Sequence, residues 1–154
     1  VPGNPSTTDT GAVELGVKFR SDVSGYVTGI RFYKGSTNTG THIGNLWTTG
    51  GANLATANFS NETASGWQQV NFATPVAIVA NTDYVASYHA PNGRYAFDPN
   101  FFTSTGVDNA PLHALSNAAA GGNGVYRYGA TSGFPSSSYQ SSNYWVDVVF
   151  TTTL

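Results

Sequence analysis

Apolar and polar residues alternate in short segments along most of the chain, and this period of two limits the fold more than any other feature. In the segment 12–20 the apolar positions are Val13, Leu15, Val17 and Phe19. Successive side chains of a strand point to opposite faces, so the pattern predicts a sheet with one face in the core. No segment shows helical periodicity with caps, and only Ala110–Ala120 is compatible with a short helix. We therefore predict an all-β fold.

Turn-forming residues separate these alternating segments. The further predicted strands are Val27–Tyr33, His42–Thr48, Asn53–Phe59, Gly66–Ala73, Pro75–Val79, Tyr84–His89, Arg94–Phe97, Gly124–Tyr128 and Asn143–Thr151. The Asn92-Gly93 pair predicts a hairpin that leads into Arg94–Phe97. The interval from Asp98 to Asn123 lacks alternation and is predicted to be a long insertion, either a functional loop or a structured excursion. Many short strands joined by such turns predict a two-sheet antiparallel β-sandwich of the jelly-roll kind.

The length of 154 residues fits a single domain with its own core. Residues 1–11 are rich in proline, threonine and glycine, so we expect a linker or leading arm there and the sandwich domain in residues 12–154. The chain has no methionine and begins with Val1. We therefore expect a piece of a longer protein, with neighbouring domains covalently attached. We expect the domain itself to be a monomer.

Composition argues against several classes of partner and chemistry. Charged residues make up 9% of the chain, aromatic residues 14%, and the net charge is −2. With no basic run, binding to nucleic acid or to an anionic membrane surface is not expected. No segment approaches the roughly 20 apolar residues of a membrane-spanning helix, so membrane insertion is not expected either. Cysteine is absent, which excludes disulfides, thiolate metal sites and a cysteine nucleophile.

Two predicted strands, 27–33 and 42–48, carry side chains suited to holding a sugar. Alternation places three apolar side chains in the core, namely Ile30, Phe32 and Leu46. The outward side chains are then Arg31, Tyr33, Asn45 and Trp47. We expect these four to share one sheet face. An aromatic ring stacks on the C–H face of a pyranose while amide and guanidinium groups bond its hydroxyls, so the sequence predicts a sugar-binding face.

The last strand extends this face if it pairs with the first, as is common in sandwiches. The outward side chains would then include Trp145 and Asp147 from the last strand and Glu14 and Lys18 from the first, and His89 falls on the same face. Trp67 also points away from the inferred core. The candidate carbohydrate-binding residues are Arg31, Tyr33, Asn45, Trp47, His89, Trp145 and Asp147. The alternative is that the charges form exposed ion pairs, which contribute little, and that loops cover the rings.

Signals for catalysis and for metal binding are weak along the chain. The three histidines, His42, His89 and His113, lie in different segments, and no GxSxG motif is present. A pair of carboxylates for glycoside hydrolysis could come from Glu14, Glu62, Asp98, Asp108 and Asp147, but no spacing in the sequence brings two of them together. No cofactor is required. A structural calcium ion is an alternative that loop oxygens allow, with candidates at Asp9, Asp22, Asn61, Glu62, Asp98 and Asp108.

Several blocks of sequence, in order, cover nearly the whole chain. They are Ala12–Tyr33, FYKGSTNTGTHIGNLW, ASGWQQVNFATPV, DYVASYHAPNGRYA, GNGVYRYG and SSNYWVDVVF. The positions that stand out in them are Lys34, Asn38, His42, Trp47, Trp67, Asn92, Tyr95 and Trp145. Together the blocks resemble a bacterial family of secreted accessory domains of unknown function, found beside Ig-like domains and in polysaccharide-degrading enzymes. The resemblance implies a secreted β-sandwich, extracellular or at the cell surface, that is similar to a carbohydrate-binding module.

These observations predict a non-catalytic carbohydrate-binding module that targets a secreted multidomain protein to a polysaccharide. One alternative is a structural spacer or adhesin domain of a bacterial surface protein, which predicts that all three tryptophans are buried. Another alternative is a small glycoside hydrolase, which predicts two carboxylates facing each other in a cleft.

Overall fold

A computed structural model describes residues 1–154, and strands form almost all of its regular structure. The strands are β1 (Val13–Ser21), β2 (Gly25–Lys34), β3 (Ile43–Thr48), β4 (Asn53–Asn58), β5 (Gly66–Ile78), β6 (Asp83–Ala90), β7 (Val107–Asn109), β8 (Leu112–Ala114), β9 (Val125–Tyr128), β10 (Ser137–Ser138) and β11 (Val146–Thr151). One short helix, α1 (Asn117–Ala120), lies between β8 and β9. The structure has no helix whose length and apolar character would let it cross a bilayer.

The strands form two antiparallel sheets with the core between them. The large sheet has eight strands, with the main order β10-β9-β1-β6-β3-β4 and the β7–β8 hairpin joined to the end of β1. The small sheet has three strands in the order β11-β2-β5. The chain passes from one sheet to the other between β1 and β2, between β2 and β3, on either side of β5, and between β10 and β11. The predicted two-sheet antiparallel sandwich is therefore confirmed.

The core is built from the inward side chains that the alternation predicts. Ile30 and Phe32 from the small sheet meet Leu46 and Tyr88 from the large sheet. The ring of Phe32 stacks on that of Tyr88 with centroids 4.1 Å apart, and it meets Phe59 edge-on at 4.9 Å. Removing these rings from water is the main favourable contribution to folding, and their close packing joins the two sheets.

Residues 1–11 form no strand, but they lie against the body of the domain. The backbone N–H of Thr7 donates to the carbonyl of Tyr95 at 2.9 Å, and that of Arg94 donates to the carbonyl of Asp9 at 2.7 Å. The Asp9 carboxylate accepts hydrogen bonds from the hydroxyls of Tyr95 and Tyr128. These bonds fix the leading arm on the folded domain.

One local prediction is wrong and two are confirmed. Arg94–Phe97 is not a strand, because Gly93 and Arg94 adopt φ values of +62° and +55° and turn the chain toward the leading arm. Pro75–Val79 continues the preceding strand at the edge of a sheet as predicted, because β5 is continuous to Ile78 and accommodates residues 72–75 opposite Thr28 through a shift in register against β2. Helix α1 lies inside the segment where the sequence allowed a helix.

Candidate functional site

The residues predicted to form one sugar-binding face lie on two different sheets. Arg31 and Tyr33 belong to β2 in the small sheet, whereas Asn45 and Trp47 belong to β3 in the large sheet. The prediction that these four share a face is therefore wrong. Their inward neighbours do reach the core, but from opposite sides of it, so the outward side chains point in opposite directions. The loop between β2 and β3 crosses between the sheets instead of closing a hairpin.

The predicted pairing of the first and last strands is also wrong. β1 pairs with β6, β8 and β9, whereas β11 pairs with β2. Glu14 and Lys18 therefore lie on the large sheet, away from Asp147. The predicted site residues separate into two groups. The first, at the small sheet, is Arg31, Tyr33, Trp145 and Asp147. The second, at the large sheet, is Asn45, Trp47 and His89.

Four aromatic rings adjoin one another at the small sheet, and we call Tyr33, Trp67, Trp145 and Phe101 the aromatic strip. Ring centroids are 5.8 Å apart for Tyr33 and Trp67, 6.3 Å for Trp67 and Trp145, and 5.9 Å for Trp145 and Phe101. Tyr33 lies opposite Trp67 because β2 pairs with β5 in that register. The exposed fraction is 39% for Trp67 and 38% for Phe101. Exposed apolar groups that adjoin one another are typical of binding surfaces.

Trp145 is held in place by its backbone and by a carboxylate. Its φ is +57°, a left-handed conformation that is strained for a bulky residue. Its N–H donates to Asn143 Oδ1 at 2.8 Å, and its carbonyl accepts from the N–H of Tyr33 at 2.9 Å. Its indole Nε1–H donates to Asp98 Oδ2 at 2.7 Å. Asp98 also accepts from the backbone N–H groups of residues 3 and 4. The ring is therefore fixed before any ligand arrives.

Polar side chains flank the aromatic strip. The guanidinium of Arg31 lies over the ring of Trp67, with Cζ 4.8 Å from the ring centroid, and its Nη1 is 3.8 Å from Asp147 Oδ2. Gln69 is the register partner of Arg31 on β5 and is exposed. These three polar side chains line a depression of about 340 Å³, which we call the polar depression and which Pro111 closes on another side. Hydrogen-bonding groups thus lie directly beside stacking rings.

Asn45, Trp47 and His89 are buried on the outer side of the large sheet, beneath the loop 129–135. The exposed fraction is 2% for Asn45, 7% for Trp47 and 3% for His89. The ring of Phe134 packs edge-on against Trp47 with centroids 5.7 Å apart. His89 Nε2–H donates to the carbonyl of Gly129 at 2.9 Å. Trp47 does point away from the core as predicted, but the loop leaves it no surface on which a polysaccharide could stack.

A buried carboxylate lies at the centre of this second group, and we call Glu14, Asn45, Ser87 and Ser132 the Glu14 cluster. Glu14 accepts hydrogen bonds from Asn45 Nδ2 at 2.8 Å, from Ser87 Oγ at 2.7 Å and from Ser132 Oγ at 2.9 Å. Burial raises the pKa of the Glu14 carboxyl, while the three hydrogen bonds and the nearby His89 oppose this rise. The cluster ties β1, β3 and β6 to the covering loop.

Replacing Glu14 with glutamine is expected to remove one source of pH dependence from the stability. The folded-state pKa of Glu14 lies above the ordinary value of 4.5, so the folded protein binds this proton more tightly than the unfolded chain does. Its stabilising contribution is therefore complete below pH 4.5 and is lost as the pH rises through the folded pKa. Urea unfolding across the range from acidic to mildly alkaline pH measures the effect.

The wild-type free energy of unfolding minus that of Glu14→Gln should fall as the pH rises. Taking the difference cancels the titration of groups that both proteins share, including Asp9 and His42. A difference that rises with pH would mean that the three hydrogen bonds outweigh burial and that the folded-state pKa of Glu14 is lowered.

The remaining histidines and loop carboxylates are bonded to one another in separate places. His42 Nδ1 lies 2.8 Å from Glu62 Oε1, and burial lowers the pKa of His42. His113 lies between Asp108 and Asp22, with its ring nitrogens 2.7 Å and 2.8 Å from their carboxylate oxygens. No three His, Cys, Asp or Glu side chains are grouped so that they could hold a metal ion. The structural calcium ion that the loop oxygens allow stays an alternative without assigned ligands.

The sequence matches the family model described as a domain of unknown function, DUF4082, over residues 1–146. The chain belongs to this family. The matched range begins with the leading arm and includes the whole aromatic strip and the whole Glu14 cluster. No curated protein matches the chain.

Three residues at the small sheet of this DUF4082 domain were not among the predicted site residues: Trp67, Gln69 and Phe101. Alternation indicated that Trp67 points outward, but its contact with Tyr33 depends on the pairing of β2 with β5, which are separated by two other strands in sequence. Phe101 lies in an irregular segment where no periodicity predicts the direction of its side chain.

Proposed function

We propose that the domain is a non-catalytic carbohydrate-binding module that holds a secreted multidomain protein on a polysaccharide. The observation that carries the proposal is the aromatic strip with Arg31, Gln69 and Asp147 beside it. Pyranose rings would stack on Trp67 and Trp145, while the three polar side chains bond their hydroxyls. This site replaces the mixed set of residues expected from the sequence, because Asn45, Trp47 and His89 are covered.

Two properties of the site support binding over a purely structural role. Trp67 is exposed at 39%, whereas a spacer or adhesin domain predicts that all three tryptophans are buried. Trp145 keeps a strained φ of +57°, and strain of this kind is commonly found at functional sites, where it fixes a side chain in advance. A single site of this size would bind weakly, with Kd on the order of 1 mM to 1 μM, and neighbouring domains would add avidity.

Retention on polysaccharides tests the proposal. The domain is applied to a panel of insoluble and gelled polysaccharides, in parallel with Trp67→Ala, Trp145→Ala and Tyr139→Ala. Removing either strip ring should raise Kd by about tenfold or more, because a large apolar contact is lost. Tyr139 is exposed at 56% and lies outside the aromatic strip, so Tyr139→Ala should be retained like the wild type.

The same experiment separates the alternatives. Retention by none of the polysaccharides would overturn the proposal and favour the spacer or adhesin role. Release of reducing ends from a polysaccharide by the isolated domain would revive the small glycoside hydrolase. If retention is lost on adding a calcium chelator but not in the tryptophan variants, the polysaccharide binds at a calcium-dependent loop and not at the aromatic strip.

A further inference from the structure

A second depression adjoins the aromatic strip, and its lining is mostly apolar. It has a volume of about 370 Å³, and 11 of its 15 lining residues are hydrophobic. Trp67, Phe101 and Trp145 contribute to it from the strip, while Phe19 and Leu112 contribute from the large sheet. We call it the apolar depression. Its size falls at the lower end of the range for small-molecule sites, about 300–1,000 Å³.

The apolar depression exists because the sandwich is open at this side. β11 is the outermost strand of the small sheet, and no further strand pairs with its free edge along Val146–Thr151. Opposite it, the β7–β8 hairpin continues the large sheet from Phe19–Ser21 of β1. Val148 from β11 and Leu112 from β8 therefore line a gap that no strand fills. Val107 on β7 is 44% exposed at the same depression.

The two depressions adjoin each other. The apolar and polar depressions share Asn109, Leu112, Asp147 and Val148 in their linings. A sugar ring bonded to Arg31, Gln69 and Asp147 would therefore have its substituents within reach of the apolar walls.

The ionic groups near the apolar depression favour a neutral occupant. Asp147 faces Arg31 at 3.8 Å, and both ring nitrogens of His113 are engaged by Asp108 and Asp22. No unpaired cation is left among its lining residues to receive a carboxylate. The ring of Trp145 already meets the rings of Trp67 and Phe101 edge-on, a geometry that a further aromatic ring can continue.

We propose that the apolar depression binds a neutral aromatic substituent carried by the glycan, such as an aryl ester or an aryl aglycone. The substituent packs against Phe101, Val107 and Leu112, while the sugar that bears it stacks on Trp67 beside the polar depression. The assignment rests on the proposed function, because it is the sugar bound at the polar depression that positions the aromatic group in the apolar depression. The domain would then distinguish substituted from unsubstituted glycans.

Ligand-observed NMR titration of the full chain tests this assignment. The probes are 4-nitrophenyl and methyl β-glycosides of glucose, galactose, xylose and mannose, with phenol as the probe that lacks a sugar. We expect the 4-nitrophenyl glycoside of the accepted sugar to bind with about tenfold lower Kd than its methyl partner, because burial of an apolar ring adds to the sugar contacts.

Val107→Trp should fill the apolar depression and so abolish the difference in Kd between the 4-nitrophenyl and methyl glycosides. Val79→Trp should leave that difference in Kd unchanged. Val79 is 61% exposed and does not line the apolar depression, so it is the matched control for adding an indole to the surface. Thermal unfolding of both variants establishes that the fold persists.

The outcomes separate this proposal from the proposed function. If polysaccharide retention depends on Trp67 and Trp145 but aryl and methyl glycosides bind equally, the apolar depression has no such role and the carbohydrate-binding function stands. An aryl preference that survives Val107→Trp, or the absence of any aryl signal, also overturns the assignment. A third outcome is that phenol and aryl glycosides bind while no polysaccharide is retained and no methyl glycoside binds. The carbohydrate-binding function would then be wrong, and so would the assignment of the apolar depression to a substituent of a glycan.

Discussion

Phe32→Ala is expected to lower the free energy of unfolding by about 3–5 kcal/mol, the usual cost of removing a fully buried phenylalanine. The Phe32 ring has no exposed surface and lies between the sheets, stacked on Tyr88 and edge-on to Phe59. Its loss leaves a cavity that β2 and β6 cannot close without shifting both sheets. Urea unfolding followed by far-UV circular dichroism measures the change.

Phe101→Ala is the matched control, since it removes the same atoms from a ring that is 38% exposed. We expect it to cost less than half as much as Phe32→Ala. Equal losses for the two variants would mean that the centre of the core lies elsewhere than between Phe32 and Tyr88.

Gly124→Ala is expected to destabilise the fold by about 2–5 kcal/mol, which combines the strain of a left-handed alanine with overpacking. The φ of Gly124 is +50°, and an added Cβ would overlap the carbonyl oxygen of Ser142. The backbone has little freedom to shift, because the preceding Asn123 side chain bonds to Lys18 and Leu115. Urea or thermal unfolding of the purified variant measures the loss.

Gly121→Ala separates the two causes. Gly121 has a similar φ of +63°, but no atom lies within 4 Å of the position of its added Cβ. Only the conformational cost of about 1–2 kcal/mol should therefore appear. If the two alanine variants lose the same stability, overlap with Ser142 contributes nothing and the backbone relaxes freely at Gly124.

The faces of the strands could be predicted from the sequence, because alternation depends only on local backbone geometry. Ile30, Phe32 and Leu46 are buried as expected, and Arg31 and Trp47 point away from the core. Alternation does not specify which sheet a strand joins. That choice depends on pairings between distant segments, such as β2 with β5 and β11 with β2, and on which sheet offers an unfilled edge.

For the same reason, only four of the seven residues of the candidate site could be predicted. Arg31, Tyr33, Trp145 and Asp147 do come together, because β11 pairs with β2 rather than with β1. Trp47 is separated from them because the chain crosses between the sheets after β2. It is also covered by the loop 129–135, and the glycine- and serine-rich sequence of this loop does not indicate that Phe134 contacts Trp47. Long-range pairing and loop docking are tertiary effects, and a local pattern does not contain them.

Asp98 gives the leading arm a mechanical connection to the aromatic strip. One carboxylate accepts hydrogen bonds from the backbone N–H groups of residues 3 and 4 and from the indole of Trp145. Deleting residues 1–4 should therefore shift the indole N–H resonance of Trp145 in an NMR spectrum while the amide resonances of β6 stay in place. Tension applied through the first residues would reach the ring of Trp145 through the side chain of Asp98, so pulling on this end of the chain would act directly on the position of one ring in the aromatic strip.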